Sequence, residues 1–347
     1  MQNISSPNPE RMKRQGYLIE PMAEMGNLEL AFYQAQKGKA DRLEVIDYGK
    51  NLRSNLRRLQ RQILSGEAEV GGYHYFTIYD PKKRQICAAP FAQRVLHHAL
   101  MNVCHPHFEK VQISDSYASR IDKGTYAALE KAKGYNRKYA WFLKLDVRKY
   151  FDSLAHSMIR AQLPKLFKDQ RLLHIFDQIV DSYSVEEGRG VPIGNLTSQY
   201  FANHYLSPAD HFAKETLRIP AYARYMDDMV LWHSDKEVLL EAGYKFRAFI
   251  EERLQLSLKP FCLNKNTRGL PFLGYLLYPE TIRLAKRSRR RYIRKMEKYE
   301  HFLKEGLWTQ QEYQKHMMPL TAFTLYADAK AFRQKAQKRL QKEEIAN

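Results

Sequence analysis

The sequence predicts a mixed α+β fold with an antiparallel sheet, and three observations carry that prediction. Ala221–Trp232 reads as two short strands around a tight acidic turn, Tyr225-Met226-Asp227-Asp228. Trp141-Phe142-Leu143-Lys144-Leu145 is an apolar strand ending on Asp146, 81 residues before Asp227. Around these lie long stretches whose apolar residues recur at spacings of three and four, the helical period.

The elements follow in chain order. Residues 1–27 are polar, with Pro, Ser and Gly, and read as a loosely ordered lead-in. Leu28–Leu64 is helical in pattern, with Leu52, Leu56, Leu59 and Ile63 on one face. Its opposite face carries Arg53, Arg57, Arg58 and Arg61, either a solvated face or a contact for a phosphate backbone. The β-rich run 73–79, the basic turn Asp80-Pro81-Lys82-Lys83-Arg84 and the return 85–88 form a hairpin signature. Val95–Cys104 is apolar enough for a buried helix. Ser153 is a helix-cap candidate ahead of Leu154, Met158, Leu163, Leu166 and Phe167, and Leu172–Tyr183 repeats the helical pattern. A Gly- and Pro-punctuated loop, Gly188–Gly194, leads to a helix from about Ser198 to Phe212. After the acidic hairpin come a helix Lys236–Leu254 and a β-like pair around Phe272–Leu277. The last segment, Leu284–Asn347, is helical and basic, with Tyr292, Ile293, Met296, Tyr299, Phe302 and Leu303 as a core-facing stripe.

Composition narrows the partner. The formal charge is +19, an excess of Lys and Arg that suits a polyanion, since neutralised phosphates release condensed counterions. No run of 18 apolar residues exists and the N-terminal residues lack a signal-peptide core, so no membrane is expected and the location expected is cytoplasmic. Cys87, Cys104 and Cys262 are scattered without a CxxC pair, which disfavours disulfides and thiolate zinc. The cluster His97, His98, Cys104, His105 and His107 has no zinc-ligand spacing.

The acidic residues carry the chemistry. Two adjacent carboxylates on a hairpin tip, beside a third on a neighbouring strand end, are what a pair of Mg²⁺ ions about 4 Å apart requires for phosphoryl transfer. Asp146, Asp227 and Asp228 are therefore the catalytic candidates. This is the pattern of a nucleic-acid polymerase. Asp-Asp alone also suits hairpin turns for backbone reasons, so the surrounding motifs decide.

Those motifs resemble the reverse transcriptases. Leu143-Lys144-Leu145-Asp146-Val147-Arg148-Lys149-Tyr150-Phe151-Asp152-Ser153 looks like the first catalytic motif, Tyr225–Asp228 like the second, and Phe272-Leu273-Gly274-Tyr275 resembles the primer grip. Pro192-Ile193-Gly194-Asn195-Leu196-Thr197-Ser198-Gln199 has the form IGxxxSQ, where retroviral and group II intron enzymes usually show QGxxxSP. IGxxxSQ resembles the enzymes of diversity-generating retroelements, which copy a template-repeat RNA with errors at adenines. The lack of a maturase-like or HNH segment after residue 347 counts here against a mobile-intron enzyme.

The resemblance implies a right-hand polymerase fold: lead-in 1–27, fingers and first part of the palm 28–140, palm 141–283 with a helical insertion at 155–190, and basic helical thumb 284–347. It implies a site for two Mg²⁺ ions, with Mn²⁺ as a substitute, at Asp146, Val147, Asp227 and Asp228. For the nucleotide it implies Lys83, Arg84, Arg120, Lys123, Phe151, Ile193 and Gln199, with Phe151 as a gate against the ribose 2′-OH. Ile193 stands where accurate relatives carry Gln. A lysine beside the leaving pyrophosphate is either Lys259 or Lys265. The partners implied are template RNA, a cDNA or primer strand, dNTPs and a small basic accessory protein. The alternatives are a group II intron-like or antiphage reverse transcriptase, an RNA-dependent RNA polymerase, and a non-catalytic RNA binder on a polymerase fold.

Overall fold

Backbone hydrogen bonding, strand register and burial organise the described chain. A computed structural model describes residues 14–79 and 83–346, with side chains described through Arg339. Two compact units result, one built from residues up to Ser114 with Val147–Phe212 and Phe246–Lys259, the other from Asp115–Asp146, Ala213–Lys245 and the chain from Pro260 onward.

The first unit is mainly helical. Part of the expected lead-in is a helix, Ile19–Ala23, because Ile19, Met22 and Ala23 are buried and the Leu18 and Ile19 amides donate to Asp169 Oδ2 at 3.2 and 3.4 Å. The stretch Leu28–Leu64 is not one helix but parts of three, Met25–Gln36, Leu43–Lys50 and Leu52–Ser65. Gly38 at φ +72° and Asn51 at φ −116° interrupt them, where helical hydrogen bonding cannot continue. Leu52–Ser65 buries Leu56, Leu59 and Ile63 as its period requires, and leaves its four arginines exposed.

The predicted hairpin forms as β1 (His74–Ile78) and β2 (Arg84–Ala88), antiparallel. Lys82, expected at its tip, lies outside the described residues. The buried helix is longer than expected, Phe91–Lys110. Ser153 is not a cap: it ends a short helix Tyr150–Ser153, its hydroxyl donates to the Tyr150 carbonyl at 2.9 Å, and Ala155 precedes the next helix, His156–Gln162. Asp169 instead caps Gln170–Asp181, accepting from the Arg171 amide.

The second unit holds the sheets. A four-stranded antiparallel sheet runs in the order β4-β5-β3-β6, with β3 (Trp141–Asp146), β4 (Ala221–Tyr225), β5 (Asp228–His233) and β6 (Cys262–Lys265). A second sheet has β7 (Leu270–Phe272), β8 (Tyr275–Leu277) and β9 (Ile282–Leu284). Period-two alternation puts Phe142, Val230, Trp232, Ala221 and Ala223 on one face of the first sheet. They pack with Ala128, Leu129 and Ala132 of the helix Thr125–Lys138 and with Leu270, Phe272, Tyr275 and Leu277. Trp232 Nε1 donates to Asn136 Oδ1 at 2.7 Å, and Asn136 Nδ2 to the Leu277 carbonyl at 2.9 Å, so the Asn136 amide inside this core is partnered at both ends.

The opposite face of the same sheet meets the helix Lys236–Arg253. A Cβ on Gly243 would stand 2.3 Å from Leu143 Cδ1, so that helix approaches only because residue 243 has no side chain. Three helices close the chain, Lys286–Lys304, Gln310–Leu325 and Lys330–Ala346. Four of the six expected stripe residues belong to a core there: Tyr292 and Met296 are buried with Leu320 and Ala336, and Ile293 and Tyr299 pack against them, while Phe302 packs on Trp308. Arg287, Arg290, Arg294 and Lys298 are exposed.

Candidate active site

Register alone brings two distant carboxylates together. β3 and β5 pair antiparallel with Asp146 directly opposite Asp228, so both side chains leave the same face of the sheet at its end. The β4–β5 connection is the two-residue turn Met226-Asp227, which puts Asp227 immediately before Asp228. Met226 adopts φ +56°, a conformation that non-glycine residues avoid. Arg224 supports it: fully buried, it donates from Nη1 to the Met226 carbonyl at 3.1 Å. The backbone of Arg224 is fixed as well, its amide donating to the Asp115 carbonyl and its own carbonyl accepting from Tyr117, both at 2.9 Å.

Lys144 completes this end. It lies two residues before Asp146 on the same face, diagonal to Asp228. Its ammonium is 2.9 Å from Asp228 Oδ1 and donates to Oδ2 at 3.0 Å. Burial pushes the Asp228 carboxyl up to about 6, Lys144 pulls it back, and Asp227 and Asp146 add to the rise. The sign for stability follows. A carboxyl whose folded pKa exceeds its unfolded value of 3.8 binds its proton more tightly when folded. Its contribution to stability therefore declines as pH rises from about 4 to about 6. The thermal midpoint of Asp228→Asn relative to the wild type should rise across that window; a flat difference from pH 4 to 6.5 would contradict the raised carboxyl.

Among the described residues, no group of three or more His, Cys, Asp or Glu side chains stands placed to hold a metal ion; what the register brings together is the pair Asp146 and Asp228. The donor set is a cross-strand pair of carboxylates with a third next in the chain, all hard oxygen ligands. That fits Mg²⁺, which takes one or two carboxylates and fills its shell with water and substrate phosphates. Val147, which follows Asp146, is buried and bridges Leu258.

The other expected residues fall into separate groups. In the first unit, a seam of backbone hydrogen bonds anchors two of the nucleotide candidates. The Val191 amide donates to the Phe151 carbonyl and the Cys87 amide to the Ile193 carbonyl, both at 2.9 Å. Ile193 is thereby tied to β2, which begins at Arg84, with Lys83 just before it; both cations are exposed. Gly194 is held at φ +125° with Ile86 Cγ2 only 3.1 Å from where a Cβ would stand, so a side chain there would push β2 away. Gln199 is half-buried on the helix Leu196–Tyr205.

In the second unit, Arg120 donates to the Ser116 carbonyl at 2.9 Å and Lys123 lies 5.3 Å from the Tyr117 ring centre. Lys265 pairs with Trp141 at the far end of β3, five residues and roughly 16 Å of strand from Asp146. Lys259 follows Leu258, the residue bridged to Val147. The primer-grip letters also divide. Phe272 and Tyr275 are core, with Tyr275 donating to the Phe323 carbonyl at 2.7 Å. Leu273 at φ +48° and Gly274 at φ +88° form the turn between them.

Lys144 and Arg224 were missed by sequence reasoning. The signal for Lys144 was its period-two spacing from Asp146 inside an otherwise apolar strand. Arg224 gave only a charge in an apolar strand next to the acidic turn.

Residues 79–277 match the family described as reverse transcriptase (RNA-dependent DNA polymerase), more than half of the chain. The chain belongs to that family. Its architecture is a mixed one of helices and strands. Among curated proteins, it is 27% identical over 158 residues to an uncharacterized 91 kDa protein in a cob intron of Schizosaccharomyces pombe, covering 44% of this chain and 18% of that protein. It is 20% identical over 186 residues to a putative COX1/OXI3 intron 1 protein of Saccharomyces cerevisiae, covering 51% and 22%. A third relative is nuclear intron maturase 1, mitochondrial, of Arabidopsis thaliana, 26% identical over 87 residues, covering 25% and 12%. The chain spans less than a quarter of the length of these curated relatives. Among solved structures, telomerase from Candida albicans superposes with a TM-score of 0.49 at 13% identity, covering 68% of this chain and 51% of that one. Among the described residues no helix is long and apolar enough to cross a membrane.

Proposed function

We propose that this chain is an RNA-directed DNA polymerase that extends a primer on an RNA template by two-metal nucleotidyl transfer. The observation that carries the reading is Asp146 opposite Asp228, with Asp227 beside it on a supported turn. Asp146, Asp227 and Asp228 are the residues that would hold Mg²⁺, together with the Val147 carbonyl. Bound ions supply charge stabilisation to the attacking and leaving oxygens. The protein's own share is positioning, with little covalent work. Lys83 and Arg84 are proposed for the triphosphate with Arg120 and Lys123, Phe151 for exclusion of the ribose 2′-OH, and Lys259 for the departing pyrophosphate. Mg²⁺-dependent extension of a DNA primer on RNA tests the reading. Binding of RNA with no extension in Mg²⁺ or Mn²⁺ would leave only a nucleic-acid binder.

The finer reading is copying of a template-repeat RNA into adenine-mutagenised cDNA, with a small basic accessory protein. The IGxxxSQ segment supports it, because Ile193 offers bulk where an amide could orient the incoming nucleotide. Loss of one such contact lowers discrimination by about 1–3 kcal/mol. Ile193→Gln should reduce misincorporation opposite template adenine about tenfold, read by sequencing the cDNA; an unaltered spectrum places fidelity elsewhere. A second reading, an intron-type reverse transcriptase, is favoured by the intron proteins among the relatives. Accurate copying of adenines by the wild type would select it.

A further inference from the structure

The ammonium of Lys144 is held on three sides. Besides both oxygens of Asp228, it donates to the Pro271 carbonyl at 2.6 Å and lies 5.8 Å from the centre of the Phe272 ring. The side chains of Lys144 and Asp228 are only 19% and 23% exposed, so neither charge is fully compensated by water. A cation in so dry a place requires such partners, and so does a carboxylate standing across from Asp146. Asp228 is also one of the carboxylates that would hold a divalent ion.

We infer that Lys144 is the resident counterion of Asp228. This inference rests on the two-ion reading above and deepens it. Without a divalent ion, Lys144 offsets the repulsion among Asp146, Asp227 and Asp228 and keeps the Asp228 carboxylate in place. With a divalent ion bound, Lys144 would yield the Asp228 carboxylate and keep the Pro271 carbonyl and the Phe272 ring face as partners. Lys144 is thus a positioning residue that weakens and tunes ion affinity. A purely structural lysine would act in the opposite sense, since its removal would disorder the site and loosen the ion.

The test is calorimetric titration of the full chain with Mn²⁺, without nucleic acid or nucleotide. Lys144→Met removes one positive charge within contact distance of a ligand carboxylate and should tighten Mn²⁺ binding about tenfold or more. Lys144→Arg keeps the charge and should stay close to the wild type. Lys144→Gln, which retains a donor for Pro271, should tighten binding as Lys144→Met does, and it serves if the methionine variant fails to fold. Wild-type binding that neither neutral variant tightens overturns the inference while leaving the ion site intact. Absence of any Mn²⁺ binding that depends on Asp146 overturns the two-ion reading, and the inference with it.

Discussion

Primer extension by the Asp227→Asn variant is expected to fall by about three decades, ~4 kcal/mol of barrier, while its folding stays that of the wild type. The substitution is nearly isosteric, and Asp227 lies in a two-residue turn, so no core packing is lost. What changes is the ligand chemistry: one anionic oxygen becomes a neutral amide oxygen and the other an NH₂ donor. A hard divalent ion loses both charge and a coordinating atom. The measurement is single-turnover extension on an RNA template in Mg²⁺, beside a thermal melt of the same preparation. Extension within tenfold of the wild type would remove Asp227 from the reaction. Equal losses of activity and melting temperature would make the residue a support of the turn rather than a ligand.

Short-range alternation made much of this site legible. The hairpin Ala221–Trp232 and the strand ending at Asp146 each declare themselves within a dozen residues, through apolar alternation and an acidic tip. That Asp146 meets Asp228 is a matter of register between strands some 80 residues apart in sequence, and only the pairing fixes it. The same applies to Lys265, whose pairing with Trp141 sets it at the far end of β3. The seam from Phe151 through Val191 to Ile193 and Cys87 depends on backbone bonds between distant segments, which carry no side-chain signature. Where the reading failed, a local feature prevailed over periodicity. Gly38 and Asn51 divide a helical pattern, Asp169 caps the helix that begins at Gln170, and Phe272 and Tyr275 are consumed by a core that their motif does not announce.

Arg224→Met is expected to destabilise the protein by about 3 kcal/mol and to depress extension beyond what the lost stability explains. Methionine keeps most of the aliphatic volume in a position that is fully buried, so the cost lies in hydrogen bonding rather than in a cavity. The part-buried Met226 carbonyl loses the guanidinium that donates to it, and an acceptor left unsatisfied away from water costs about 1–3 kcal/mol. The turn compounds the loss. Met226 sits at φ +56°, a strained conformation that persists only where its surroundings enforce it, and Arg224 is one of the groups that do so. Released, the turn can relax and take Asp227 and Asp228 with it, away from Asp146. The predicted pattern is a melting temperature lower by several degrees, with kcat falling at least tenfold at temperatures where the variant is still folded. Arg224→Lys, which can still reach a carbonyl with a single donor, should recover part of both. A variant that loses stability yet extends primers at the wild-type rate at low temperature would show that the carboxylate turn holds its shape without the arginine beneath it.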